Sequence, residues 1–243
     1  DTESMTVLDV LNDATGDVCD KPHGIAVKPD FSALYFTANN GTYITKMTIS
    51  NDRFDTFERY SILENGQLTS SSLYQPYQVL LQNGKLYVTC KQSNELRILN
   101  ESNRVLLKVL PRISGTPSMG KNPILMQAHN QKLYVTCLNE ENFAEQGSKL
   151  GCISVFDLSN DTFERNIWNV GHMPRSVSVH PGKNQLFISN ENQNGVDPPH
   201  HFIPGLGTSQ PGKFNVVDLN TMRVIPSAQR DIAIAPYGTA ILP

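Results

Sequence analysis

The chain has 243 residues, a formal charge of −3, 39% hydrophobic and only 18% charged residues. That composition excludes a disordered tail or a coiled coil, and mixed charge near neutrality leaves no electrostatic footprint for nucleic acid. No apolar run reaches the roughly 20 residues that carry a helix across a bilayer, and the chain starts at Asp1 without Met, so no transmembrane segment and a processed N-terminus are expected.

In chain order, residues 5–10 (Met-Thr-Val-Leu-Asp-Val) alternate apolar and polar side chains like a half-buried strand. Next comes Pro22-His-Gly-Ile-Ala-Val, a strand opened by proline, where no ladder N–H is needed. A turn at Asp30-Phe-Ser leads into Leu34-Tyr-Phe-Thr-Ala, and a third strand follows at residues 43–49. A polar fourth stretch, Asp55-Thr-Phe-Glu-Arg, closes the set.

The set then recurs. Pro76-Tyr-Gln-Val-Leu-Leu, the Asn83-Gly84 turn, Leu86-Tyr-Val-Thr-Cys and residues 95–99 form the second copy. Pro123-Ile-Leu-Met-Gln, Asn130-Gln, Leu133-Tyr-Val-Thr-Cys, residues 152–157 and the polar Asp161-Thr-Phe-Glu-Arg form the third. Pro174-Arg-Ser-Val-Ser-Val, Pro181-Gly, Leu186-Phe-Ile-Ser-Asn and residues 214–218 form the fourth, and Pro236-Tyr-Gly-Thr-Ala-Ile opens a fifth. The second strands start 52, 47 and 53 residues apart. No window holds a helical period.

Four short antiparallel strands in each repeat of this length predict an all-β chain, a β-propeller of four-stranded blades. Residues 5–10 match a third strand and residues 232–237 a first strand, so one blade is expected to be shared between the two ends. About five blades are visible in a single domain, 1–243, either a five-bladed ring or part of a six- or seven-bladed one. Cys90 and Cys137 hold equivalent positions and are expected to be buried strand residues, while Cys137 and Cys152 could meet across a hairpin, which leaves a disulfide there open.

These segments resemble the YVTN-repeat propellers of surface-layer-type and related secreted bacterial proteins. The repeat reads as a Pro-opened strand, a turn, then Leu-Tyr-Val-Thr-Asn; Asn190 keeps the final Asn, and Ala38, Cys90 and Cys137 replace it. The resemblance implies a bacterial, exported protein, periplasmic or at the cell surface, that binds or scaffolds through a protein partner or a small ligand at the propeller rim or axis.

Candidate functional residues follow from the repeat. His23, Tyr77, Arg175 and Tyr237 each come directly after a strand-opening proline. A set of polar and aromatic groups at one level suits a small anionic or sugar-like ligand. Locally, Pro174-Arg … His180-Pro … Asn190-Glu191 resembles lactonase-type propellers. That resemblance implies Arg175 as an anion clamp and Glu191 as a general base, with His23 as a third catalytic candidate.

The segment 194–207 lengthens one hairpin and carries His200 and His201, candidates for a metal ion or haem iron. Neighbours on an extended chain point to opposite sides, however, and no resident cofactor is expected. The segment 139–151 lengthens the same hairpin one repeat earlier, so the two loops are expected to share a rim. The leading expectation is a non-enzymatic binding module; the competing one is a lactonase or cycloisomerase.

Overall fold

Each proline-led repeat folds as one antiparallel sheet with its strands in sequence order. The computed structural model describes residues 21–64, 73–110, 119–138, 151–190 and 212–231. The first sheet holds β1 (Pro22–Val27), β2 (Ala33–Ala38), β3 (Tyr43–Ser50) and β4 (Arg53–Ser61). The second holds β5 (Pro76–Gln82), β6 (Lys85–Cys90), β7 (Glu95–Asn100) and β8 (Leu106–Leu110). The third holds β9 (Pro123–His129), β10 (Lys132–Cys137), β11 (Cys152–Asp157) and β12 (Thr162–Ile167). The fourth holds β13 (Pro174–His180), β14 (Gln185–Asn190), β15 (Lys213–Asp218) and β16 (Arg223–Val224), with a further two-residue strand, β17 (Arg230–Asp231), also on β15. The chain divides between residues 110 and 111 into two compact units, so each unit contains two of these sheets.

The turns follow from residue type. Asn83-Gly84 (φ 51° and 69°), Asn130-Gln131 (47° and 59°) and Asn51-Asp52 (51° and 59°) place two successive residues in the left-handed region. That is the geometry of a two-residue turn whose twist matches the strands it joins, and Asn, Asp and Gly adopt it at least cost.

The repeated Leu-Tyr-Val-Thr-Cys segments are β6 and β10, and after the opening lysine every residue of both strands is buried. An alternating pattern predicts one buried face, but a strand in the middle of a stacked sheet is covered on both. In the first unit Tyr35, Ile44, Leu86, Val88 and Leu99 form one cluster. In the second, Ile153, Val155, Leu186, Ile188 and Val217 form another. Full burial of such a side chain contributes about 1.5–3 kcal/mol. By contrast, β1 buries Gly24 and Ala26 and leaves Ile25 and Val27 exposed.

Two features depart from the sequence expectation. The second sheet has a fourth strand, β8, that the polar fourth-strand pattern does not mark. The fourth strand of the last sheet is broken into β16 and β17 by a 3-10 turn, Pro226–Ala228, because Pro226 has no N–H to continue the ladder.

Cys90 and Cys137 are buried, as their strand positions predict. Cys137 and Cys152 face each other directly across β10 and β11, and both are free thiols. The terminal strand segments 5–10 and 232–237 and the long hairpins at 139–150 and 191–211 lie outside the described residues.

Candidate functional site

The chemistry gathers where each first strand begins, and the backbone dictates why. In every sheet the opening proline pairs with the last residue of the second strand: Pro22 with Ala38, Pro76 with Cys90, Pro123 with Cys137 and Pro174 with Asn190. Immediately after it the register slips, a β-bulge in the same place four times. A bulge removes one N–H from the ladder and re-aims the bulged side chain.

In three sheets the freed donor is met by a hydroxyl on the second strand. The Gly24 N–H donates to Thr37 Oγ1 at 2.8 Å, Gln78 N–H to Thr89 Oγ1 at 3.0 Å and Leu125 N–H to Thr136 Oγ1 at 3.1 Å. In the fourth sheet Ser176 and Ser189 pair their hydroxyls at 2.6 Å. This explains the Thr in both Leu-Tyr-Val-Thr-Cys copies: it is the acceptor that the bulge requires. The re-aimed residues are His23, Tyr77, Ile124 and Arg175.

In the first unit the structure brings two of the expected residues together. The rings of His23 and Tyr77 lie with centroids 3.6 Å apart, tilted by 40°. Thr37 Oγ1, having accepted from Gly24, donates to the Tyr77 carbonyl at 3.0 Å and ties the two first strands together. Gly24 makes the approach possible, since a Cβ there would sit 2.5 Å from Gln78 Cα and 2.7 Å from the Tyr77 carbonyl oxygen.

Although His23 keeps much of its surface open, its packed ring loses solvent. That burial first, and the positive charge of Lys91 second, lower its pKa below the ordinary 6.5. Lys91 is held close by its own N–H, which donates to the Gln75 carbonyl at 2.9 Å beside Pro76. The result is a neutral imidazole stacked on a phenol with a cation nearby, an arrangement able to hold a planar or anionic group.

In the second unit Arg175 occupies the same slot and is only 7% exposed, engaged by neighbouring groups. Its counterpart Ile124 is apolar and buried. The other expected residues, Glu191, His200, His201 and Tyr237, lie outside the described residues. Sequence reasoning missed Lys91 and Gly24. Lys91 follows directly on the repeated segment, and Gly24 is the one glycine two places after a strand-opening proline apart from Gly238.

Among the described residues no three His, Cys, Asp or Glu side chains cluster as a metal site. No described helix is long and apolar enough to cross a membrane.

No protein-family model matches the chain, and no curated protein matches it by sequence. Solved structures do, and they are β-propeller proteins. Kuenenia stuttgartiensis hydrazine synthase is similar at TM-score 0.62 and 16% identity, over 89% of this chain and 51% of that one. A proposed 6-phosphogluconolactonase from Bacteroides uniformis is similar at TM-score 0.58 and 12% identity, over 89% and 56%. The dihydro-heme d1 dehydrogenase NirN is similar at TM-score 0.53 and 12% identity, over 88% and 38%. The chain thus spans about half the length, or less, of these structures. At such identities the similarity establishes the fold alone: an all-β chain of four-stranded antiparallel sheets matching part of a propeller.

Proposed function

We propose that this chain is a non-enzymatic, exported bacterial module that binds a small ligand or a protein and acts as a scaffold in the periplasm or at the cell surface. The observation that carries this reading is the hydroxyl-braced bulge. The bulge repeats in four sheets, its freed N–H met by a threonine hydroxyl in three of them and two serine hydroxyls paired beside it in the fourth, while the side chain that follows the proline varies from His to Tyr, Ile and Arg. In the first unit this fixed bend leaves His23 exposed and Tyr77 half-buried, a constant backbone under side chains open to recognition, so positioning is separated from specificity. The ring pair of His23 and Tyr77 with Lys91 beside it favours a small anionic or sugar-like ligand. The resemblance of the repeated strands to YVTN propellers supports export.

A second reading, a lactonase using Arg175 and Glu191, is favoured by Arg175 occupying one of the aimed slots. One experiment separates the two. Hydrolysis of 6-phosphogluconolactone is followed with the natural protein and with Arg175→Lys and Arg175→Ala, circular dichroism confirming the fold. No acceleration over the spontaneous rate is expected. Acceleration that both variants lose would overturn the scaffold reading. In parallel, the His23 imidazole proton signals are titrated with gluconate and with glucose. A saturable shift that Tyr77→Ala abolishes supports the reading, and no shift with either overturns it for this slot.

A further inference from the structure

The broken outer strand of the fourth sheet makes a groove in the second unit, at the opposite edge of the sheet from Arg175. Along β15 the outer ladder pairs Asp218 with Arg223 and Val217 with Val224. The Ile225 N–H still reaches the Val216 carbonyl at 2.8 Å. Pairing resumes only at Phe214 with Arg230. Between these points Pro226 and the 3-10 turn carry the chain away, and the ladder skips Asn215. What opens there is a groove of about 560 Å³ whose lining includes Asn215, Gln229 and, from the third sheet, Trp168 and Asn169. That volume lies in the range of roughly 300–1,000 Å³ usual for small-molecule sites.

We propose that this groove binds a neutral saccharide. Trp168, the only tryptophan in the chain, lies just beyond the end of β12 and is 53% exposed. A tryptophan left half in water at a concave surface offers an apolar, polarisable plane. The C–H face of a pyranose matches such a plane. Asn169 turns the chain directly after it, with φ 62°.

The polar partners are mainly amides, which both donate and accept, as sugar hydroxyls do. Asn166 is fixed because its Oδ1 accepts from the Ser154 hydroxyl at 2.8 Å. Asn215 donates from Nδ2 to the Val170 carbonyl at 2.6 Å, and its Oδ1 has no hydrogen-bond partner although the residue is 1% exposed. The floor of the groove therefore holds an acceptor that calls for a donor. A hydroxyl supplies one. A proline-rich segment, whose backbone offers carbonyls but few N–H groups, does not. Arg223, the one charged residue of the lining, is exposed, so water screens its charge and gives an anion little hold in the groove.

Because Trp168 is alone, its emission reads the groove directly in the full chain. The probes are the methyl glycosides of glucose, galactose, mannose and N-acetylglucosamine. The expected result is a saturable blue shift with at least one of them, in the millimolar range. By calorimetry Trp168→Ala weakens that binding by about tenfold or more. Gln229→Ala weakens it by less, and both variants keep the far-ultraviolet dichroism and thermal midpoint of the natural protein. No saturable change with any of the four glycosides overturns the proposal. So does undiminished binding by the folded Trp168→Ala variant, and so does a response to deca-proline in place of the sugars.

Discussion

Thr89 and Thr136 occupy the same place in two sheets and answer the same need. Each hydroxyl accepts the N–H released by the bulge after a strand-opening proline. Both side chains are wholly buried, so water cannot substitute for them. Thr89→Val keeps the shape and removes the acceptor. Leaving a buried donor unmet costs about 1–3 kcal/mol, so the urea midpoint is expected to fall by that equivalent, while Thr89→Ser loses clearly less. A loss for Thr89→Ser as large as that for Thr89→Val would show that the hydroxyl does not dominate, and a loss for Thr89→Ser alone would show that the methyl group is what matters. The importance of a threonine in this position could be read from its repetition. The reason for it could not, because a bulge is a relation between two strands and leaves no mark on either one alone. Gly24 is similar: its role depends on Gln78 and Tyr77, more than fifty residues away in the chain.

At the scale of the strand, β7 carries a charge where its neighbours carry apolar groups. Arg97 has no exposed surface. Its Nε and Nη2 donate to Glu95 Oε2 at 3.0 and 2.8 Å, Nη1 donates to the Ile62 carbonyl, and the guanidinium lies 4.6 Å from the centre of the Tyr74 ring. Removing the Glu95 carboxylate takes the ion-pair partner from a wholly buried cation. Glu95→Ala is expected to cost about 3 kcal/mol, and the paired change Arg97→Met with Glu95→Leu less, because no charge is then stranded. A double variant no more stable than Glu95→Ala would refute that account.

Strand positions were legible wherever proline, a turn pair and alternation coincided; residues 152–157 fold as the strand they spell. β8 was missed because Leu106–Leu110 has too little alternation to stand apart from a loop. The break between β16 and β17 could have been suspected from Pro226, but the groove it opens could not, since Trp168 lies outside the repeated pattern.

For the molecule as a whole, the titrating groups predict how stability follows pH. His23 has a folded pKa below 6.5, so as pH falls the unfolded chain takes up that proton first. Stability is therefore expected to decline from about 6.5 down to the lower folded value and to be unaffected by this group above that window. Asp157 acts later. Its carboxylate is held well below the ordinary range, first by Lys132 and then by Ser159, so its contribution is present above the usual carboxylate pKa and is lost only in stronger acid. His23→Gln is expected to flatten the first decline in thermal midpoint and leave the second. A variant that titrates like the natural protein between neutral pH and the carboxylate range would show that another group governs the change. The four-stranded sheets were readable in the sequence, and the use made of them was not, because the aimed side chains are the part of the repeat that does not repeat.

That division of labour makes the chain a ready-made frame for engineering. The position after each opening proline already tolerates a base, a phenol, a hydrocarbon and a guanidinium over the same backbone bend. Randomising positions 23 and 77, the two that are not buried, with the hydroxyl-bearing residues of the second strands left alone, would change what the first unit recognises while sparing the joinery that sets its shape.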